Sequence, residues 1–486
     1  MKPWTFLMVA WFCMVSSAVH VPGIVQGQHN EIYAKEENLE PETTPRDYAF
    51  NTTNNSNFTC VNEEDNFPSF LTPQQQKNGG IIICVLIIMY FFTLLTIICD
   101  KYFLPAIEHL CEVLHLSPDV AAATFMSIAT SCPELFTNII ATFVTNSELG
   151  IGTIVGSSMF NSLGAAAIGS LAAISKIQLD WWPITRDVFV YMITVSLLAG
   201  IIWDGYIYWY EGIALFVAFL VYFVIMFQNP RISRFVKKLA AKFQSKNDVS
   251  GNPGNSYQVE KDELEIKHHN KETVESSEET ENDIFKIPQG GIWTKFIFFY
   301  CWPIRVILLY TTPDPEEHPK LFPITFVICV IWFAFISYVV TWMITIIGTT
   351  LGIPPAVQGL TVLAAGGSLP ESVSLALLSR KGEGKMGISN SLGANSMNVL
   401  FSLGLPWFFK TILMGTNEHS YIYIDSSTIA YTVMALIFAA FFLYVAMFIN
   451  KFRLSRTIGI VLLITYVICV VAACVSEVVL FPKVCS

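Results

Sequence analysis

Hydrophobic and polar positions alternate along the chain in long blocks. Runs of about 20 apolar residues, the length a helix needs to cross a hydrocarbon core, recur between short polar segments. The pattern predicts an all-α polytopic membrane protein with five helices, a loop and five more helices. The ten predicted membrane helices are 81–99, 120–145, 150–175, 187–203, 209–228, 323–347, 355–378, 386–408, 427–449 and 458–480.

A long polar loop, residues 229–320, separates the two groups of helices. It begins basic and becomes acidic and poor in apolar residues, which is typical of a segment without a packed core. Within it, the segment 291–314 is nearly long enough to be an eleventh span. If it crossed, the basic linkers 379–385 and 450–456 would be extracytoplasmic, against the positive-inside rule. We therefore predict that 291–314 is a helix at the membrane interface and that the loop is cytoplasmic.

Both ends of the chain are expected to be extracytoplasmic. Residues 1–18 combine a basic start, a short apolar core and small residues, which is typical of a signal peptide, with an uncleaved anchor as the alternative. The polar segment 19–78 carries glycosylation sequons at Asn51, Asn54 and Asn57, which have meaning only outside the cytoplasm. Cys60 and Cys485 would then share a compartment that permits disulfides, so they are a candidate pair.

Composition excludes several functional classes. The chain is 53% hydrophobic and 14% charged, and its net charge of -10 lies in the polar stretches. No basic patch suggests a nucleic-acid partner, so we expect none. No nucleophile and base pair stands out above the apolar background. We therefore expect neither an enzyme nor a bound cofactor.

The chain contains an internal repeat. A shift of 237 residues places SCPE at 131–134 on SLPE at 368–371. The same shift pairs Pro133 with Pro370, Glu134 with Glu371 and Asn161 with Asn398. Because five spans separate the copies, the two repeats, 79–228 and 321–486, must have opposite orientations in the membrane. Inverted repeats with broken helices are typical of the ion sites of secondary transporters.

The repeated residues have the chemistry of a cation site. Pro133 and Pro370 lack an N–H, so each breaks its helix and releases carbonyl oxygens. Further oxygens come from Thr130, Ser131, Ser368, Asn161 and Asn398. An all-oxygen set suits hard cations such as Ca²⁺ and Na⁺. A charge at the bilayer centre costs at least about 2.5–3.5 kcal/mol, so we expect a bound cation to neutralise Glu134 and Glu371, with a kink cap or a structural cation as the alternative.

These residues also resemble the potassium-dependent sodium/calcium exchangers, solute carrier family 24, within the cation/calcium exchanger superfamily. The resemblance extends from Gly79 to Glu477 and excludes the central loop. The stretches that carry it are GGIII at 79–83, CDKYFLP at 99–105, PEL at 133–135, GTIVGS at 152–157, YWYEG at 208–212, LLSRKGEGKMGISNSLG at 377–393 and LGLPW at 403–407.

The resemblance implies a fold and an activity. It implies a ten-helix core with two alpha repeats, here at 120–164 and 355–405, a cleaved leader, and electrogenic export of Ca²⁺ with K⁺ in exchange for Na⁺. The family's ion-binding acids fall on Glu134 and Glu371. Its supporting polar residues fall on Thr130, Ser131, Asn161, Ser368 and Asn395.

The chain departs from the family pattern in the second repeat. The family usually has an Asp, associated with K⁺ dependence, where this chain has Asn398. A family Thr is replaced by Gly367, a family Ser by Ala394, and a family Asp by the longer Glu371. The site therefore has fewer oxygen ligands, so K⁺ coupling and the Na⁺ stoichiometry stay open.

Together these observations predict a sodium/calcium antiporter that works by alternating access. An exchanger that uses H⁺ or another counter-cation and a membrane interaction protein that no longer transports are the alternatives. We expect the plasma membrane, with an organelle membrane as the second choice. The expected partners are membrane lipid and the ions Ca²⁺, Na⁺ and, as an open question, K⁺, while the central loop is a candidate surface for regulatory proteins.

Overall fold

The computed structural model describes residues 67–68, 72–115, 125–228, 232, 291–382, 384–414, 421–424 and 426–477. The predicted signal peptide, most of the central loop, the sequons at Asn51, Asn54 and Asn57, and the candidate disulfide between Cys60 and Cys485 lie outside these residues.

Helices make up most of the described chain. Their bounds are α1 Ile81–Val113, α2 Ser127–Thr130, α3 Cys132–Ile140, α4 Leu149–Ala172, α5 Trp181–Ile202, α6 Trp209–Phe227, α7 Ile292–Thr311, α8 Phe322–Leu351, α9 Pro355–Gly367, α10 Leu369–Lys381, α11 Gly384–Met397, α12 Gly404–Met414, α13 Ser426–Ile449 and α14 Arg456–Val475. Short π-helical turns continue α3 through Ala141–Thr145, lie within α4 at Phe160–Gly164 and join α11 to α12 at Asn398–Leu403.

Several of these helices are long and apolar enough to cross a membrane. Within the described residues there are eight, and the bent pair α9 and α10 makes a ninth. The remaining predicted span, 120–145, is described from residue 125 and is interrupted at Ser131 between α2 and α3. Backbone hydrogen bonds within each helix satisfy the polar groups that lipid cannot.

One helix begins earlier than its hydrophobicity predicts. The apolar run starts at residue 187, whereas α5 starts at Trp181. Two charged side chains near the start of α5 lower its hydropathy there. They are Arg186 and Asp187, which form an ion pair with an N–O distance of 2.7 Å. This pairing allows both charges to lie within the helix.

The described chain falls into two compact units. One comprises the described residues up to Phe92, those within Thr130–Phe219 and those from Phe333 onward, and the other comprises the described residues within Thr93–Ala129 and Leu220–Trp332. Both halves of the predicted repeat contribute to the first unit. It contains α3 and α10, the helices that carry the two repeated glutamates.

Helices α4 and α9 cross within the first unit with their backbones in contact. The Cβ position of Gly152 would meet the carbonyl oxygen of Ala356, and that of Gly156 would meet the carbonyl oxygen of Leu360. On the opposite helix, a Cβ on Gly359 would meet the carbonyl oxygen of Leu149. Small residues allow this close approach, as is common where membrane helices pack.

Two antiparallel strand pairs connect the loops of this unit in the described chain. Strand β1, Ile177–Gln178, pairs with β4, Arg453–Leu454. Strand β2, Tyr206–Tyr208, pairs with β3, Tyr421–Tyr423. The loop between α4 and α5 therefore joins the loop between α13 and α14. The loop between α5 and α6 joins the loop between α12 and α13.

The second unit contains α7, the helix formed by the segment 291–314. The hydroxyl of its Tyr300 lies 3.3 Å from that of Thr93 in α1. Just beyond α7, Asp314 pairs with Lys101 of α1 at 3.5 Å. These contacts attach α7 to the second half of α1.

The crossing of α4 and α9 generates a prediction about stability. In Gly359→Ala the new Cβ would overlap the backbone of Leu149 and Thr153. We therefore expect a loss of at least about 1–3 kcal/mol in the free energy of unfolding, the usual cost of overpacking. Gly200→Ala in α5 is the matched control, because its Cβ would meet nothing within 4 Å. Thermal unfolding of the two purified variants measures the difference, and equal melting temperatures would contradict the close backbone contact.

Candidate ion-binding site

Two helix breaks, related by the 237-residue shift, frame the candidate site. Ser131 separates α2 from α3 with φ −89° and ψ −2°, and Ser368 separates α9 from α10 with φ −85° and ψ 4°. The following prolines, Pro133 and Pro370, lie in the first turn of α3 and α10, where a missing N–H is tolerated. The bend between α9 and α10 is 43°.

A glutamate follows each break, and its carboxylate lies in the interior of the unit. Glu134 lies in the first turn of α3 and is 1% exposed. Glu371 lies in the first turn of α10; the residue is partly exposed, but both of its carboxylate oxygens are buried. Across the described residues, neither carboxylate has a hydrogen-bond partner. Two acids are therefore buried within the unit without a hydrogen bond to either carboxylate from the described chain.

The two breaks lie close together in space. A Cβ on Gly367, the residue before the second break, would lie 3.5 Å from Oε1 of Glu134. Thr130 and Asn161 are polar neighbours of the carboxylate of Glu371. The first repeat thus supplies polar neighbours to the acid of the second repeat.

The paired asparagines occupy π-helical turns. Asn161 lies in the turn Phe160–Gly164 within α4, and Asn398 begins the turn Asn398–Leu403, which packs against α3. Both side chains are buried, and within the described structure neither amide makes a hydrogen bond. Such turns are frequent at functional sites because they displace side chains from regular helical positions.

Hydrogen bonds connect the two repeats around these groups. Asn395 in α11 donates from Nδ2 to Oγ of Ser162 at 2.8 Å. The hydroxyl of Ser391 donates to the carbonyl oxygen of Asn161 at 3.2 Å, and that of Ser402 donates to the carbonyl oxygen of Ser131 at 2.9 Å. Because the polar residues of one repeat hold the backbone of the other, the candidate ligands are held in fixed relative positions.

The remaining oxygens form a set that a hard cation would satisfy. Among the predicted site residues, buried side-chain oxygens without a hydrogen-bond partner in the described chain belong to Ser131, Glu134, Asn161, Ser368, Glu371, Asn395 and Asn398. Leaving a polar group buried and unpaired costs about 1–3 kcal/mol. No three His, Cys, Asp or Glu side chains cluster anywhere in the described residues. The donor chemistry is therefore that of carboxylate, amide and hydroxyl oxygens, which suits Ca²⁺ and Na⁺.

Sequence reasoning missed two buried polar residues beside the predicted set. Ser158 is buried in α4 and is the repeat partner of Asn395 under the same shift of 237 residues. Asn138 is buried one turn after Glu134 and donates to its carbonyl oxygen at 2.9 Å. The repeat offset was a signal for Ser158, and the helical spacing of four residues was a signal for Asn138.

The comparisons with known proteins agree with this chemistry. The sequence profile of "Sodium/calcium exchanger protein" matches residues 84–228 and 321–475, more than half of the chain. The human "Sodium/potassium/calcium exchanger 5" is 34% identical over 88% of this chain and 89% of its own length. The human "Sodium/potassium/calcium exchanger 4" is 29% identical over 77% of this chain and 78% of its own length.

A solved structure is also similar. The sodium-calcium exchanger NCX_Mj, soaked with 10 mM Na⁺ and zero Ca²⁺, has 18% identity and a TM-score of 0.45, and the match covers 81% of this chain and 99% of that chain. A score of that size does not establish a shared fold, so the assignment rests on the sequence matches. By those matches, the chain belongs to the sodium/calcium exchanger family, among its sodium/potassium/calcium exchangers.

Proposed function

We propose that this protein is a secondary-active antiporter that exports Ca²⁺ from the cytosol in exchange for Na⁺. Glu134 and Glu371 hold one Ca²⁺ or, in turn, Na⁺ ions. Neutral oxygens from Asn161, Asn398 and the serines at the two helix breaks, Ser131 and Ser368, complete the coordination. The surrounding helices then alternate the access of this site between the two sides of the membrane. The proposal places the protein in the plasma membrane.

The two buried carboxylates carry the proposal. Both lack a hydrogen-bond partner among the described residues, and two negative charges balance one divalent cation. A structural helix kink would need no acid. In an exchanger, by contrast, two buried carboxylates without a cation are costly in a low-dielectric core. This cost disfavours the change from one access state to the other when no cation is bound.

We further propose that ten helices cross the membrane as two inverted repeats, residues 79–228 and 321–486, with 291–314 at the interface. Paired strands must lie on the same side of the membrane. Six of the proposed spans separate β1 from β4, and four separate β2 from β3. Both numbers are even, whereas an eleventh crossing at 291–314 would make both odd and place each strand opposite its partner.

The strand pairs also support the symmetry of the proposed repeats. When the two repeats are exchanged, the loop that carries β1 corresponds to the loop that carries β3, and the loop of β2 corresponds to that of β4. The pairing of β1 with β4 thereby becomes the pairing of β3 with β2, which is the one found. An inverted repeat places one pair on each side of the membrane.

Removal of either carboxylate is the first test. We expect Glu134→Gln and Glu371→Gln to reduce Na⁺-driven Ca²⁺ flux more than about a hundredfold, because losing one partner of a buried charge set costs about 3–5 kcal/mol. Flux into vesicles driven by an outward Na⁺ gradient measures this.

A binding measurement accompanies the flux. In the wild type, Ca²⁺ at 100 times its Kd should stabilise the folded protein by about 2.7 kcal/mol and so raise its melting temperature. This rise in melting temperature should disappear in both variants. Glu112→Gln, which changes an exposed carboxylate at the end of α1, is the control and should behave as the wild type. Flux near the wild-type level in either site variant would refute the proposed site.

The topology generates a second prediction. Tags inserted at Lys385 and at Lys451 should be cytoplasmic, because both follow spans that end inside, while a tag after Ser486 should be extracytoplasmic. Antibody labelling of intact and permeabilised cells measures each position. Labelling of residue 385 from outside intact cells would show that 291–314 crosses, which would break the inverted-repeat arrangement.

Position 398 generates a third prediction about K⁺. With Asn398 neutral, the two glutamates already balance one Ca²⁺, so we expect exchange to run in K⁺-free solution and to change little when K⁺ replaces Li⁺ or choline. Asn398→Asp should gain stimulation by K⁺. Strict dependence of the wild-type flux on K⁺ would show that other residues hold that ion.

Position 367 allows a stricter version of the same test. A Cβ there would lie 3.5 Å from Oε1 of Glu134, an ordinary van der Waals distance, so the first side-chain carbon is accommodated next to the site. Gly367→Thr combined with Asn398→Asp should show a larger K⁺ stimulation than Asn398→Asp alone. Gly367→Ala combined with Asn398→Asp is the matched control, because it adds the Cβ without the oxygen.

A further inference from the structure

A cavity of about 400 Å³ lies beside the end of α3, on the face that carries β3. Its lining includes Asn138, Thr142, Asn146, Glu148, Trp407 and Lys410. Asn138 is fully buried and lies one helical turn from Glu134. The cavity therefore leads from the surface to the helix that carries the first glutamate.

A lysine ammonium group lies in this cavity. Lys410 of α12 donates from Nζ to the carbonyl oxygen of Thr142 and to Oδ1 of Asn146, each at 2.5 Å. Thr142 lies in the π turn that ends α3, and Asn146 follows it with a left-handed φ of 50°. A carbonyl and an amide oxygen are ligands of the kind that alkali and alkaline-earth cations use. The tethered ammonium thus occupies a place suited to a free cation.

An unpaired acceptor lies deeper in the same cavity. Asn138 uses Nδ2 to donate to the carbonyl oxygen of Glu134 at 2.9 Å, while its Oδ1 is buried and has no hydrogen-bond partner in the described part of the chain. Oxygen acceptors therefore line the cavity from Asn146 and Thr142 inward to Asn138, which lies one helical turn from Glu134 on α3. A cation entering the cavity would meet oxygen ligands as far as this helix.

We propose that this cavity is the outer entrance to the ion site and that Lys410 is a tethered cation at its outer subsite. Lys410 occupies the oxygens of Thr142 and Asn146 and lowers, by electrostatic repulsion, the apparent affinity of the outward-facing protein for external cations. This inference rests on the proposed antiport and its topology.

Repulsion by a fixed charge depends on the valence of the entering ion. One positive charge repels a cation that lies about 10 Å away. In a water-like dielectric, this repulsion lowers the local concentration of a monovalent cation about twofold and that of a divalent cation about fourfold. The effect on Ca²⁺ should therefore be the square of the effect on each Na⁺. A lysine that serves only as a C-terminal helix cap would instead change stability, without any dependence on valence.

The transport test compares Lys410→Gln with Lys410→Arg in vesicles of known orientation. We expect Lys410→Gln to lower the external KM for Ca²⁺ about fourfold and the external half-saturating concentration of Na⁺ about twofold. The KM on the cytosolic side should not change, and Lys410→Arg, which keeps the charge, should retain the wild-type values. Equal shifts for both ions, shifts on both sides, or the same shift in Lys410→Arg would overturn the proposal.

A second test measures the charge of the cavity without transport. Ser147 lines the cavity, so Ser147→Cys is a reporter that thiol reagents of opposite charge can reach from outside intact cells. We expect the added Lys410→Gln change to raise the reaction rate of a cationic methanethiosulfonate about twofold and to lower that of an anionic one by a similar factor. An unchanged ratio of rates overturns the proposal. If the wild type shows no Na⁺-driven Ca²⁺ flux, the proposed function fails, whereas these rates still decide the role of Lys410.

Discussion

The structure depends on the burial of two carboxylates, Glu134 and Glu371, in the interior of the first unit. Among the described residues no hydrogen bond to either carboxylate is formed, and the neighbours of Glu371 are the neutral side chains of Thr130 and Asn161. Such an arrangement is costly unless a cation supplies the missing charge. In the proposed antiport, the need for that cation links the fold to ion exchange, because each ion that leaves must be replaced before the site can be buried again.

The rest of the fold brings these acids together and holds them. Broken helices at Ser131 and Ser368 turn the acids inward, and glycines at the crossing of α4 and α9 allow the two repeats to approach at backbone distance. Hydrogen bonds such as that from Ser402 to the carbonyl oxygen of Ser131 then join one repeat to the other. Residues of both repeats therefore form the candidate site.

Much of this arrangement could be predicted from the sequence, because long apolar runs and a fixed repeat offset are local or periodic signals. The apolar spans were predicted in this way, whereas the family was indicated by the resemblance of short sequence motifs. The contact of Lys410 with Thr142 and Asn146 was not, since it joins residues 264 or more positions apart through packing between helices. The early start of α5 was also missed, because a hydropathy window counts Arg186 and Asp187 as separate charges rather than as an ion pair.

The most direct test of a shared site is equilibrium binding of radioactive Ca²⁺ to the purified protein at increasing Na⁺ concentration. If Glu134 and Glu371 hold either ion in turn, one Ca²⁺ should bind per chain, and Na⁺ should displace it completely and competitively. Ca²⁺ that stays bound at saturating Na⁺ would show that the two ions use different sites, and would contradict exchange through this pair of carboxylates.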